Sequence, residues 1–82
     1  MQKITILIHC KDQKGIIAAV TTFIAKVEGN IIYIDQHVDV EQNVFFMRLE
    51  CELTNSKTTI EDFKTDFDQS IAADFNMSWD LY

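Results

Sequence analysis

The stretch "KITILIHCKDQKGIIAAVTTFIA" (Lys3–Ala25) changes its hydrophobic period halfway along, and that change decides the fold. In its first part Ile4, Ile6, Ile8 and Cys10 share one parity, with Lys3, Thr5, Leu7 and His9 on the other. Alternation built on β-branched residues predicts a strand over 3–10. From Gly15 onward the period lengthens. Ile16, Val20, Phe23, Ile24 and Val27 follow the spacing of an amphipathic helix over 15–29. Asp12 is placed to cap its start and Gly29 to occupy the left-handed position after its end.

Working outward, "NIIYIDQHVDV" (30–40) is rich in β-formers, with Ile32, Ile34, Val38 and Val40 on one parity. "EQN" (41–43) serves as a turn. "VFFMRLECEL" (44–53) alternates sharply, with Phe45, Met47, Leu49, Cys51 and Leu53 inward. A second helix is predicted over 54–75. Thr58 and Glu61 form its capping box, and Ile60, Phe63, Phe67 and Ile71 its buried stripe. "NMSWDLY" (76–82) alternates again, with Met77, Trp79 and Leu81 on one side. The order β-α-β-β-α-β predicts an α+β domain of the split βαβ, ferredoxin-like plan. Its antiparallel sheet runs 4-1-3-2 with both helices on one face.

The chain has 82 residues, enough for one domain over 1–82. Its formal charge is −6 and its pI about 4.6. Nucleic-acid affinity is largely counterion release by basic side chains, so this balance argues against a nucleic-acid partner. No apolar run approaches the roughly 20 residues of a membrane span, and the N-terminus does not have the form of a signal peptide. A cytoplasmic location is the expectation.

His9 and Cys10 are neighbours on a strand. Their side chains point to opposite faces and cannot form a dyad. Cys10 and Cys51 fall at opposite ends of the sheet, roughly 20 Å apart at about 3.3 Å per residue, so both are expected as free thiols. His9 and His37 share the helix-free face, but strand three separates them by about 10 Å, too far to share a metal. Neither a metal nor a cofactor is expected. The same open face is expected to carry Leu7, Ile31, Tyr33 and Phe46 beside Arg48. That much apolar surface predicts a covering partner, either another copy or another domain. Gly15 leaves space beside a helix N-terminus, for tight packing or for a carboxylate. Asn30 can orient a small ligand or close its own turn.

With "DQKG" between strand one and helix one and "GNI" entering strand two, the chain resembles an ACT domain. "HCKDQKGIIAAVTTFIA", "GNIIYIDQHVD", "FFMRLE" and "FNMSW" sharpen this to a similarity with the N-terminal ACT domain of the formyltetrahydrofolate deformylase family. Lys11 departs from the proline expected before Asp12. The resemblance implies a regulatory module that binds a small amino acid, with glycine and methionine as candidates, where two copies meet. It assigns Asp12, Gly15 and Ile16 to the ligand loop, and Asn30 and Ile31 to the strand-two side. It makes Leu7, Tyr33, Phe46 and Arg48 an interface, in a homo-oligomer or against a formyltransferase-like catalytic domain. Family members hydrolyse 10-formyltetrahydrofolate to formate and tetrahydrofolate, supplying purine synthesis. Their catalytic residues lie in that further domain, so none is expected within 1–82. A free-standing amino-acid sensor and a purely structural assembly domain are the alternatives.

Overall fold

A computed structural model of the chain describes residues 2–53 and 57–82. The elements are β1 (Lys3–Lys11), α1 (Ile16–Lys26), β2 (Asn30–Asp39), β3 (Val44–Glu52), α2 (Ile60–Phe67) and β4 (Ser78–Leu81). A π-helical turn (Asp68–Ala72) and a short α3 (Ala73–Phe75) continue α2 without a break. The sheet order is β2-β3-β1-β4, the expected 4-1-3-2 written from the other edge, and its pairings are antiparallel. This is the ferredoxin-like βαββαβ plan.

The alternating residues of β1 and β3 fall as predicted. Ile4, Ile6, Ile8 and Cys10 pair with Cys51, Leu49, Met47 and Phe45, and all eight are buried. The helices lay Ile16, Val20, Phe23 and Ile24, then Phe63 and Phe67, onto that surface. Phe23 meets Phe63 and Phe67 edge-on, with ring centroids 5.2 and 5.3 Å apart. Such contacts add about 0.5–1.5 kcal/mol beyond the burial itself. Cys10 and Cys51 are buried free thiols, and burial pushes the Cys51 thiol up to about 11.

Five local expectations are corrected. Asp12 does not cap α1. The N-cap is Gly15, at φ 88°, and the helix start has no side-chain cap. Gly29 is not the left-handed residue after α1. Glu28 takes that conformation at φ 62°. The Glu28 and Gly29 N–H groups then donate to Ala25 and Ile24 carbonyls, closing a Schellman motif with Gly29 one place later than expected. A glycine is needed there for space, because a Cβ would lie 2.9 Å from Ile24 Cγ2 and 3.2 Å from Leu53 Cδ2.

The second helix begins at Ile60, capped by Thr59, whose hydroxyl accepts from Asp62 N–H at 3.0 Å. The expected box at Thr58 and Glu61 is thus shifted by one residue. Residues 54–56, read as the start of this helix, lie outside the described residues, and 57–59 precede it without helical structure. Val40 is no strand residue; it sits in the β2–β3 turn, 85% exposed. Finally, β2 carries a β-bulge. Ile31 pairs with Cys51 and Tyr33 with Glu50, leaving Ile32 as the extra residue. The bulge flips Ile31 to the helix face, where it packs partly against the core, so Ile31 does not join Leu7, Tyr33 and Phe46 on the open face.

Candidate functional site

The β1–α1 loop is held at both ends. Asp12 N–H donates to the Asn43 carbonyl at 2.9 Å, fixing the loop to the β2–β3 turn. Gln13 Nε2 donates to the carbonyls of Lys11 at 3.0 Å and Phe75 at 3.2 Å. Phe75 closes α3, so Gln13 satisfies a carbonyl that the helix end leaves without an intrahelical partner. The loop then turns through Gly15, whose left-handed conformation costs glycine nothing. The Gly15 carbonyl accepts the first intrahelical bond, from Ala19 N–H at 2.9 Å. The amides of the first turn, at Ile16, Ile17 and Ala18, therefore lack helical acceptors, and no acidic side chain stands in that turn.

These amides adjoin a pocket of about 350 Å³ between the start of α1 and β2. Asp12, Gly15 and Ile16, the residues the resemblance assigns to the ligand loop, are among those that line it. Ile17, Gln36 and Val38 also line it, and sequence reasoning did not single them out. A signal for Gln36 was present. It lies between Ile34 and Val38 on one parity of β2, a polar residue interrupting an apolar row. The pocket combines helix-start dipoles, able to hold a carboxylate, with apolar side walls.

Asn30 and Ile31 lie elsewhere. Asn30 pairs with Glu52, which pairs with Lys3; the pocket end of the sheet is the row Asp39, Val44, Lys11. Eight residues of β1 separate those rows, about 26 Å at 3.3 Å per residue. One chain does not bring Asn30 and Ile31 to Asp12.

On the open face Phe46 stands between two imidazoles. His37 stacks on it at 5.0 Å and 16°, and His9 lies on its other side at 6.1 Å. The phenyl ring fills the gap between the histidines. Tyr33 and Phe46 are exposed on this face, and Leu7 is half-buried. Glu50 accepts from Lys3 Nζ at 2.8 Å and from Arg48 Nη2 at 3.3 Å. These bonds, Lys3 first, hold the Glu50 carboxyl below the usual carboxylate range. Among the described residues no group of three or more His, Cys, Asp or Glu side chains converges as a metal site would require.

The ACT domain family matches residues 4–67. A formyltetrahydrofolate deformylase from Synechocystis sp. is 33% identical over 78 residues, 95% of this chain and 27% of that protein. The chain thus spans about a quarter of the curated relatives it matches. A solved formyltetrahydrofolate deformylase from Pseudomonas syringae superposes with a TM-score of 0.91 at 30% identity, over 100% of this chain and 28% of that one. An ACT domain protein from Streptococcus pneumoniae superposes with a TM-score of 0.82 at 25% identity, over 98% of this chain and 86% of that one. The chain belongs to the ACT domain family and is homologous to the N-terminal region of formyltetrahydrofolate deformylases.

Proposed function

We propose that this chain is a regulatory and assembly module that holds a small amino acid where two copies meet. The observation that carries the reading is the uncapped start of α1 opening into a pocket beside the exposed edge strand β2. The carboxylate of the effector takes the free amides at Ile16–Ala18, with Asp12 and Gly15 shaping the loop. Asn30 and Ile31 come from the second copy. A two-fold axis that lays β2 antiparallel beside its mate sets the Asn30 end of one strand against the Asp39 end of the other. That pairing also covers Ile32, Ile34 and Val38, which are 44%, 41% and 36% exposed in one chain. Glycine and methionine are the effectors to try first.

The relatives named formyltetrahydrofolate deformylase support a setting for the module in a protein of that kind. In such a protein the module regulates hydrolysis of 10-formyltetrahydrofolate to formate and tetrahydrofolate for purine synthesis. The open face, with Leu7, Tyr33, Phe46 and Arg48, docks on the formyltransferase-like catalytic domain. No helix among the described residues is long and apolar enough to cross a membrane, and a cytoplasmic setting is part of the reading.

Calorimetry of the chain with a panel of amino acids, read beside sedimentation velocity, tests this. A binding heat that Asn30→Ala removes, together with a dimer that Ile34→Asp dissociates, is the expected result. A stable dimer silent to every amino acid would leave only the assembly role. The S. pneumoniae protein, aligned over most of its length, favours a second reading as a free-standing sensor. In that case amino acids bind the chain by itself and leave the rate of a deformylase assayed beside it unchanged.

A further inference from the structure

β4 closes the sheet on the side away from β2, and among the described residues no strand covers its outer edge. Its pairing with β1 fixes which backbone groups face outward. Thr5 and Tyr82 exchange both hydrogen bonds, at 3.0 and 2.8 Å. Bonded and non-bonded pairs alternate in an antiparallel ladder. Leu7–Asp80 and His9–Ser78 are therefore bonded pairs, and Ile6–Leu81 and Ile8–Trp79 are not. The N–H and C=O groups of Trp79 and Leu81 point away from β1, to the free edge.

The side chains of the same two residues help line a cleft of about 460 Å³ between β4 and the second helical run. Asp68, the first residue of the π turn, accepts from Trp79 Nε1 at 3.0 Å, and the indole lies 4.5 Å from the Phe67 ring. Lys64 and Asp80 complete the charged rim. The edge carries no proline, lysine or bulge; only its four-residue length and Asp80 guard it against pairing.

Charge selects the occupant. At the edge itself Asp68 on the helix side and Asp80, cross-strand from Leu7 on the other face, stand against the single Lys64, in a chain of net charge −6. A second copy adding its own β4 here would set like charge on like. An extended segment with basic side chains meets complementary charge, and the arginine fork suits carboxylates beside an aromatic ring. We propose that the β4 edge and its cleft dock an extended, basic segment of a partner protein, which joins the sheet as a fifth strand bonded to Trp79 and Leu81. This is strand addition, in which main-chain bonds supply affinity and alternate side chains supply selectivity.

The test uses a capped heptapeptide of alternating arginine and valine. Trp79 is the only tryptophan in the chain, so its emission reports the cleft. A saturable change in that emission, with slowed amide exchange at Trp79 and Leu81, is expected. Asp80→Asn weakens binding about threefold to fivefold at low salt. N-methylating the peptide along its bonding edge keeps its charge and weakens binding about tenfold. The inference is overturned by silent Trp79 emission, by exchange protection at β2 instead, by equal affinity for the N-methylated peptide, or by equal affinity for a glutamate–valine peptide.

Discussion

β3 and β2 lie side by side and alternate in the same way, yet only β3 is buried. Leu49 and Ile34 are cross-strand partners on one face of the sheet, but Leu49 is 0% exposed and Ile34 is 41%. Phe45 and Val38 form the next such pair but one, at 3% and 36%. Alternation assigns a residue to a face; what lies over that face decides burial. The helical layer covers β1 and β3 and stops short of β2. The edge strand keeps the hydrophobic content of a core strand without its cover, which leaves it open to pairing.

The largest expected effect tests that contrast directly. Leu49→Ala should cost about 3 kcal/mol in urea unfolding, because it leaves a cavity in a close-packed core. Ile34→Ala should cost under about 1 kcal/mol at dilute concentration. If the Ile34 cost rises with protein concentration, a second copy supplies the missing cover; equal costs at all concentrations would break the comparison. Next come the glycines. Gly29→Ala places a methyl against Ile24 and Leu53 at the joint between α1 and β2 and should cost about 1–3 kcal/mol. Gly15→Ala has open space around it and pays only for its φ of 88°, about 1 kcal/mol.

Smaller effects follow from titration. The Cys51 thiol is raised by burial from 9.0 to about 11. An acid whose folded pKa is raised stabilises the fold fully below its unfolded value, and that contribution is lost as pH climbs toward the folded one. Urea midpoints should therefore fall between pH 9 and 11, and Cys51→Ala should flatten that fall. Glu50 works in the opposite sense. Its lowered pKa stabilises the fold above the ordinary carboxylate range and is lost as pH falls through the folded value. Glu50→Gln should remove a small acid-side dependence, measurable as a shallower fall in midpoint at low pH.

The sequence was most legible where local pattern and cover agree. β1, β3 and the helical stripes could be read from periodicity because each inward residue also meets a partner. The period change with a glycine marked the strand-to-helix turn, whereas the grouping of Asp12, Gly15 and Ile16 came from the family resemblance alone. The errors are of another kind. "TTIED" (58–62) contains two overlapping capping boxes, and only packing chooses Thr59 over Thr58. In "EGN" (28–30) glycine was read as the left-handed residue, whereas crowding by Ile24 and Leu53 requires it one place later. The bulge at Ile32 has no local signature among β-formers, so Ile31 was placed on the wrong face. Gln36 and Val38 entered the pocket only through the placement of α1 against β2, which no single stretch encodes.

The π turn at Asp68–Ala72 has a consequence for chain length. Phe63 and Phe67 are four residues apart, but the next buried residue, Ala72, is five further on. The turn holds one residue more than an α-helix needs to keep those side chains on one face. Removing Gln69 would restore the four-residue step from Phe67 to Ala72 and leave the same residues facing the sheet. This helix is therefore a place where a homologous chain can be shorter by one without losing its core. An alignment gap between Phe67 and Ala72 would mark a regular helix and a reshaped cleft beside β4 within the same fold.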